Sequence, residues 1–219
     1  MTKPKPRSTR PAAAHRTERQ RARFVRTAKT GTAATAIGPV APGMEVFILT
    51  FGRFSLVDAL AHLVQQVGPC DIAISTWTAA DADLRLIASL RDQAKIRAVR
   101  WLVDGSYIAR QPASCATMRE LFGDACIRTL SNHAKFITIR TDDYALAVRS
   151  TMNMNDNPRL ETLEISDDDN LCGFLEGVVD QLYAERPEGD FGFAMPRLAS
   201  TADAGAVASP ISRVGRVRL

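Results

Sequence analysis

From Val46 onward, short apolar runs alternate with stretches whose apolar residues recur at helical spacing. Val46–Phe51, Asp71–Trp77 and Ile96–Val103 have the length and content of buried strands, whereas Ser55–Val67 and Ala80–Gln93 repeat with the period of a helix. In the first helical stretch Leu56, Leu60, Leu63, Val64 and Val67 fall on one face. Asp58, His62, Gln65 and Gln66 cover the other, which reads His62 as solvated. Ser55 and Thr78 are candidate N-caps, and Gly68-Pro69 ends the first helix where proline cannot continue it. Strands joined by helices of this length imply right-handed crossovers and parallel neighbours, with ligands near the carboxyl ends of the strands.

The second half changes character. After a third helix over Ser114–Phe122, four strand-like runs follow at Ala125–Leu130, Ala134–Arg140, Tyr144–Ser150 and Glu161–Ser166. Thr141-Asp142-Asp143 reads as a hairpin turn between the second and third. A last helix spans about Asn170–Ala184, with Asp167, Asp168 and Asp169 at its start. Carboxylates there suit the positive end of the helix dipole, about 0.3–1 kcal/mol each, so they read as capping groups rather than metal ligands. The predicted class is α/β, a mixed, mostly parallel sheet flanked by helices.

Composition sets the limits of this domain. With 219 residues and 46% hydrophobic content, the chain has enough apolar material for one sizeable core. Residues 1–43 mix Pro, Ala, Thr, Gly and cationic side chains with almost no large apolar group, which predicts a disordered basic arm with at most a short helix around Glu18–Ala28. Residues 44–186 form the predicted domain and 187–219 a flexible tail. The net charge of +4 divides unevenly, with +9 on residues 1–30, +3 on 192–219 and −8 on the stretch between. Affinity for a polyanion is therefore expected to begin in the tails.

Cys70, Cys115, Cys126 and Cys172 show no C-x-x-C spacing and sit in or beside apolar segments, as reduced structural residues do. No stretch approaches the ~20 apolar residues of a membrane span, and the N-terminus lacks the apolar region of a secretory signal. Prolines 4, 6 and 11 fit an extended arm better than a transit peptide. A cytoplasmic protein with no membrane partner is expected. The glycine-containing segment Thr50–Ser55 lacks the spacing of a nucleotide phosphate loop.

Candidate chemistry concentrates at His133-Ala134-Lys135 and Ser150-Thr151-Met152-Asn153. Two residues apart on an extended segment, His133 and Lys135 share a face with about 6–7 Å between Cα atoms, room for one phosphate. The next strand runs back antiparallel, which returns Thr151 and Asn153 to the neighbourhood of His133. A neutral imidazole can attack phosphorus. The Lys135 ammonium can neutralise phosphate oxygens, and Thr151 and Asn153 can hydrogen-bond the developing charge. Trp77, Asp104, Gly105 and Ser106, at the ends of parallel strands, are candidates to line the same cleft, with Trp77 equally suited to core packing.

These residues resemble the phospholipase D superfamily, whose motif has the form H-x-K-x4-D-x6-G-S-x-N. His133 and Lys135 match its first letters, Thr151 stands for the Ser and Asn153 matches the Asn. The order of elements over Val46–Ala184 is similar to one half of that fold. The resemblance implies a covalent phosphohistidine on His133 with no metal and no cofactor, and it gives Glu161 the role of the acidic partner of the motif histidine. It also implies a nuclease. A single motif supplies one histidine where the leaving oxygen needs a second; His15 lies in the arm and His62 on a solvated face. A twofold homodimer with one shared site meets that need.

Two letters depart from the motif: Arg140 stands where the Asp belongs, with Asp142 and Asp143 nearby, and Ser150 replaces the Gly. The expected function is a metal-independent phosphodiesterase, an endonuclease that meets DNA through its basic tails. The alternative that Arg140 and Ser150 favour is a catalytically inactive module of the same fold that binds DNA or protein. A phospholipid-cleaving enzyme fits less well, because no amphipathic membrane-binding helix is evident.

Overall fold

A computed structural model describes residues 23–28, 32–155 and 159–189. In chain order these are β1 (Arg23–Ala28), α1 (Ala33–Ile37), β2 (Glu45–Phe51), α2 (Leu56–Val67), β3 (Cys70–Thr76), α3 (Asp81–Asp92), β4 (Ile96–Asp104), α4 (Tyr107–Arg110), α5 (Pro112–Phe122), β5 (Ile127–Leu130), β6 (Phe136–Arg140), β7 (Ala145–Ser150), β8 (Leu160–Asp167) and α6 (Asp169–Glu185). One sheet holds all eight strands in the order β1-β2-β8-β7-β6-β3-β4-β5. Its pairings set β1, β2, β3, β4, β5 and β7 in one direction and β6 and β8 in the other. The sheet is thus mixed and mostly parallel by direction, as predicted, although β6 and β8 intercalate among the parallel strands and make four of the seven neighbour pairs antiparallel.

Helices cover both faces. Leu56, Leu60, Leu63 and Val64 of α2 pack with Leu84 and Ile87 of α3 and Met118 of α5 against Val46, Ile48, Ile72, Ile74, Ile137, Val148 and Ile165. On the other face Val179 and Leu182 of α6 meet Ala73, Leu102 and Phe136, and Cys172 meets Ala145 and Ala147. Small residues on β7 and a cysteine on α6 let the helix lie close to the sheet. β3 is buried on both faces, with Ile72 and Ile74 under one helical layer and Ala73 under the other.

Several local expectations need correction. Arg23–Ala28, within the predicted arm and its possible helix, is a strand paired in parallel with β2, and Ala33–Ile37 is a short helix capped by Thr32. The order Arg23, Phe24, Val25, Arg26, Thr27, Ala28 does not alternate between apolar and polar, so no period-2 pattern marks it as a strand in this cationic stretch. The rest of the arm and tail, residues 1–22 and 190–219, lies outside the described residues. Ser55 caps α2 in a reciprocal box with Asp58. Thr78, however, caps nothing: its hydroxyl donates to Gln111 Oε1 at 2.7 Å, and the residue before α3 is Ala80. His62 is half-buried rather than solvated, hydrogen-bonded to Gly38 O at 2.9 Å and to Gln66. The four cysteines are free thiols. Burial raises Cys70 and Cys115 to about 11, which keeps them inert at neutral pH. Among the described residues no helix is long and apolar enough to cross a membrane.

Arg140, in the place of the motif Asp, ends β6 and pairs with α6. Its guanidinium reaches Glu176 at 2.6 Å and Asp169 at 2.5 Å, and these hydrogen bonds hold it firmly protonated. Restoring the motif letter is therefore expected to harm the fold. Arg140→Asp sets a third carboxylate against Glu176 and Asp169 and should cost about 3 kcal/mol, read as a lower urea midpoint. An unchanged midpoint would show that these pairs contribute nothing.

Candidate active site

The carboxyl ends of six strands and the amino ends of β6 and β8 share one edge of the sheet. All the predicted chemistry lies there. Asn132, 5% exposed, anchors the segment that carries His133. Its Nδ2 donates to Ser75 Oγ (3.0 Å), Thr76 O (3.1 Å) and Leu102 O (3.0 Å), groups at the ends of β3 and β4. Its Oδ1 accepts from Ala134 N at 3.0 Å, its own N–H donates to Asp104 Oδ2 at 2.9 Å, and Ser75 Oγ donates to Ala134 O at 3.0 Å. Residues 132 and 134 are thus fastened while His133 between them stays exposed.

These bonds also explain a boundary. The predicted strand Ala134–Arg140 pairs only from Phe136, because side chains of Asn132 and Ser75 occupy the backbone groups of Ala134. His133 and Lys135 nevertheless come together as expected. Lys135 Nζ lies 3.2 Å from His133 Nδ1 and donates to His133 O at 2.9 Å. Partial burial holds the Lys135 ammonium below the ordinary lysine range, opposed by the negative charge of Glu161.

The strap 151–155 leaves β7 and crosses the start of β6 to reach the end of β3, where Met154 N donates to Thr78 O (3.2 Å) and Ala80 N to Met154 O (2.6 Å). Met152 and Met154 point into the core, so Thr151, Asn153 and Asn155 alternate onto the other side. Asn153 is half-buried, and among the described residues its Oδ1 has no hydrogen-bond partner and no bond joins it to His133 or Lys135. Thr151 donates its hydroxyl to Glu161 and accepts from Thr162 N at 2.9 Å. Glu161 therefore sits beside Thr151 and acts on Lys135 through its charge, and its hydrogen bond goes to Thr151 rather than to His133. Ser150 does not crowd the site, because its hydroxyl turns to Thr162 O (2.7 Å) and accepts from Met152 N (3.0 Å).

Trp77, half-buried, meets the His133 imidazole with ring centroids 6.0 Å apart and planes tilted by 57°. The Arg110 guanidinium lies 3.6 Å from the centre of the same indole. Asp104 accepts from Ser106 N at 3.0 Å and from Asn132 N; burial would raise its pKa, but these hydrogen bonds outweigh it and keep the group ionised. Trp77, Asp104 and Ser106 thus belong to this edge, as the strand ends suggest. Asn132 and Arg110 escape the sequence reading. Ser131-Asn132 looks like a turn ahead of a strand, and α4, four residues long, has no periodicity to reveal it. Asp142 and Asp143 lie at the far end of β6 from His133, with Asp167, Asp168 and Asp169. Among the described residues no group of three His, Cys, Asp or Glu side chains is placed to hold a metal ion.

No family model and no curated protein matches the sequence. Solved structures do. Nuc from Salmonella typhimurium, a phospholipase D family member, is 12% identical and aligns over 59% of this chain and 88% of its own, with a TM-score of 0.47. NucT from Helicobacter pylori is 13% identical over 66% of this chain and 98% of its own, TM-score 0.48. Polyphosphate kinase from Porphyromonas gingivalis is 17% identical over 66% of this chain but only 26% of its own, TM-score 0.48.

Proposed function

We propose that the protein is a metal-independent phosphodiesterase, an endonuclease acting on DNA through a phosphohistidine intermediate at a site shared by two copies of the chain. The observation that carries the reading is the fastened loop that holds His133 and Lys135 in contact at the sheet edge that also carries Thr151, Asn153 and Glu161. A nitrogen of His133 attacks phosphorus, forming the P–N bond, and the bond to the leaving oxygen breaks with its electron pair on that oxygen. A second imidazole protonates the oxygen. Water then attacks phosphorus, passes its proton to that imidazole, and the P–N bond breaks to restore His133.

Lys135 has two roles in this sequence. While its ammonium donates to Nδ1, the ring proton belongs on Nε2. When phosphate enters, Lys135 turns to the phosphate oxygens, Nδ1 takes the proton, and Nε2 is freed to attack. Glu161 then accepts the Nδ1–H, and Asn153 donates from Nδ2 to a phosphate oxygen. The second imidazole comes from the other copy. His62 is engaged with Gly38 and Gln66 on α2, and His15 lies outside the described residues. The basic arm, Lys3 to Lys29, supplies sequence-independent phosphate contacts that weaken as salt rises.

Plasmid DNA incubated in EDTA tests the reading. Cleavage should persist in chelator and vanish in His133→Ala. Wild type and His133→Ala refolded together in equal amounts should retain about one quarter of the activity if two histidines act together, against about one half for independent sites. DNA binding without cleavage by the wild type would instead establish the inactive module.

The alkaline limb of the pH–rate profile should lie below the ordinary lysine range of about 10.4, because phosphate binding needs Lys135 charged and burial favours its neutral form. Lys135→Arg, charged at every accessible pH, should move that limb upward even if the rate falls. A limb that stays in place excludes Lys135 as its source.

Asn132→Ala should lower kcat about a hundredfold with a smaller change in KM, since it frees the His133 loop without touching substrate. It also strands buried acceptors on Thr76 and Leu102 and should cost about 2–3 kcal/mol in urea unfolding. Wild-type kcat in a folded Asn132→Ala protein would remove Asn132 from the mechanism.

A further inference from the structure

The Trp77–Arg110 pair has the features of a second anion subsite beside the reacting imidazole. The guanidinium carbon lies over the indole 3.6 Å from its centre, and the same indole meets the His133 ring with centroids 6.0 Å apart. Arg110 Nε donates to Ser106 Oγ at 2.9 Å and Nη2 to Trp77 O at 3.0 Å, with Asp104 at 3.6 Å from Nη2. The described residues thus take two of its three nitrogens, and Nη1 keeps its donors for another acceptor. Asp104, whose oxygens accept from Ser106 and from Asn132 N, offsets part of this charge at Nη2 and leaves the Nη1 donors unused. A planar cation with fixed orientation and spare donors is suited to a phosphate oxygen pair, and little side-chain freedom remains to be lost on binding.

We infer that Arg110, stacked on Trp77, binds the phosphate next to the scissile one, so that the site takes a polynucleotide with consecutive phosphodiesters in preference to an isolated diester. The inference rests on the reading of His133 as the residue that meets the scissile phosphate. One indole touches both the Arg110 guanidinium and the His133 ring, which places Arg110 one aromatic ring away from the reacting imidazole. A strand whose scissile phosphate meets His133 and Lys135 then carries its next phosphate toward Arg110.

The test uses binding, which requires no turnover. Full-length, isotope-labelled His133→Ala protein is titrated by NMR with thymidine dinucleotide, which has one diester, and with the trinucleotide, which has two. The trinucleotide should bind roughly tenfold more tightly, the size of one added charge-assisted contact. Adding Arg110→Met, or separately Arg110→Gln, should reduce that gain to no more than about twofold, with the spectra reporting that each variant is folded. Arg110→Lys, which keeps the charge but not the planar stack, should retain part of it. A gain that survives both neutral replacements, or an equal affinity for the two ligands in the parent protein, overturns the inference. Failure of the wild type to cut plasmid DNA would instead overturn the hydrolase reading and leave the binding result standing.

Discussion

The edge of the sheet that carries His133 depends on the buried carboxamide of Asn132. A loop that must present an exposed imidazole has little apolar surface with which to hold itself, so its position has to come from hydrogen bonds to something rigid. Asn132 provides them by accepting from Ala134 N and donating to two backbone carbonyls, Thr76 O at the end of β3 and Leu102 O two residues before the end of β4. Strand ends leave such groups unpaired, and buried unpaired groups are costly. The same bonds that complete β3 and β4 therefore fix the residues on either side of His133. Ser75 and Asp104 extend the arrangement, one through Ala134 O and the other through Asn132 N.

Charge is distributed along the strands in keeping with this edge. The domain is acidic overall, yet Asp142, Asp143, Asp167, Asp168 and Asp169 gather at the end of the sheet away from His133. Asp168 caps α6 there, and Arg140 pairs with Asp169 and Glu176. At the opposite edge Lys135 and Arg110 stand among fewer carboxylates, each of which is engaged, Glu161 by Thr151 and Asp104 by Ser106 and Asn132. The two ends of the sheet therefore differ in charge, so the acidic average of the domain does not describe the edge that carries His133.

The larger elements were legible because their causes are local in sequence. The apolar face of α2, its Ser55 cap and the three strand-length runs around it follow from periodicity alone, and so does the hairpin at Thr141–Asp143. The convergence of His133 with Lys135 was legible for the same reason, a two-residue spacing. Features that depend on distant partners were not. Asn132 is meaningful only with Thr76, Leu102 and Asp104 beside it. Thr78 has every local mark of a cap but finds Gln111 instead. β1 becomes a strand because β2 offers it an open edge, and its own six residues, half of them cationic or polar, do not announce it.

The two departures from the motif have separate structural consequences, and neither reaches the imidazole. Arg140 lies at the far end of β6, five residues beyond Lys135, where a positive charge is matched to α6 and an aspartate would not be. Its identity belongs to helix docking. Ser150 lies at the near end, where a side chain would matter if it entered the space beside His133. Its hydroxyl turns instead to Thr162 O and receives Met152 N, which shapes the first turn of the strap. That turn sends Met152 inward and Thr151 and Asn153 to the other side, and the bridge between Met154 and Ala79 closes the strap over the loop of His133. A glycine would leave the turn freer, whereas the serine ties it down. The substitutions thus support an inactive module less strongly than their letters suggest, because each is accounted for by contacts that leave His133, Lys135 and the strap in place.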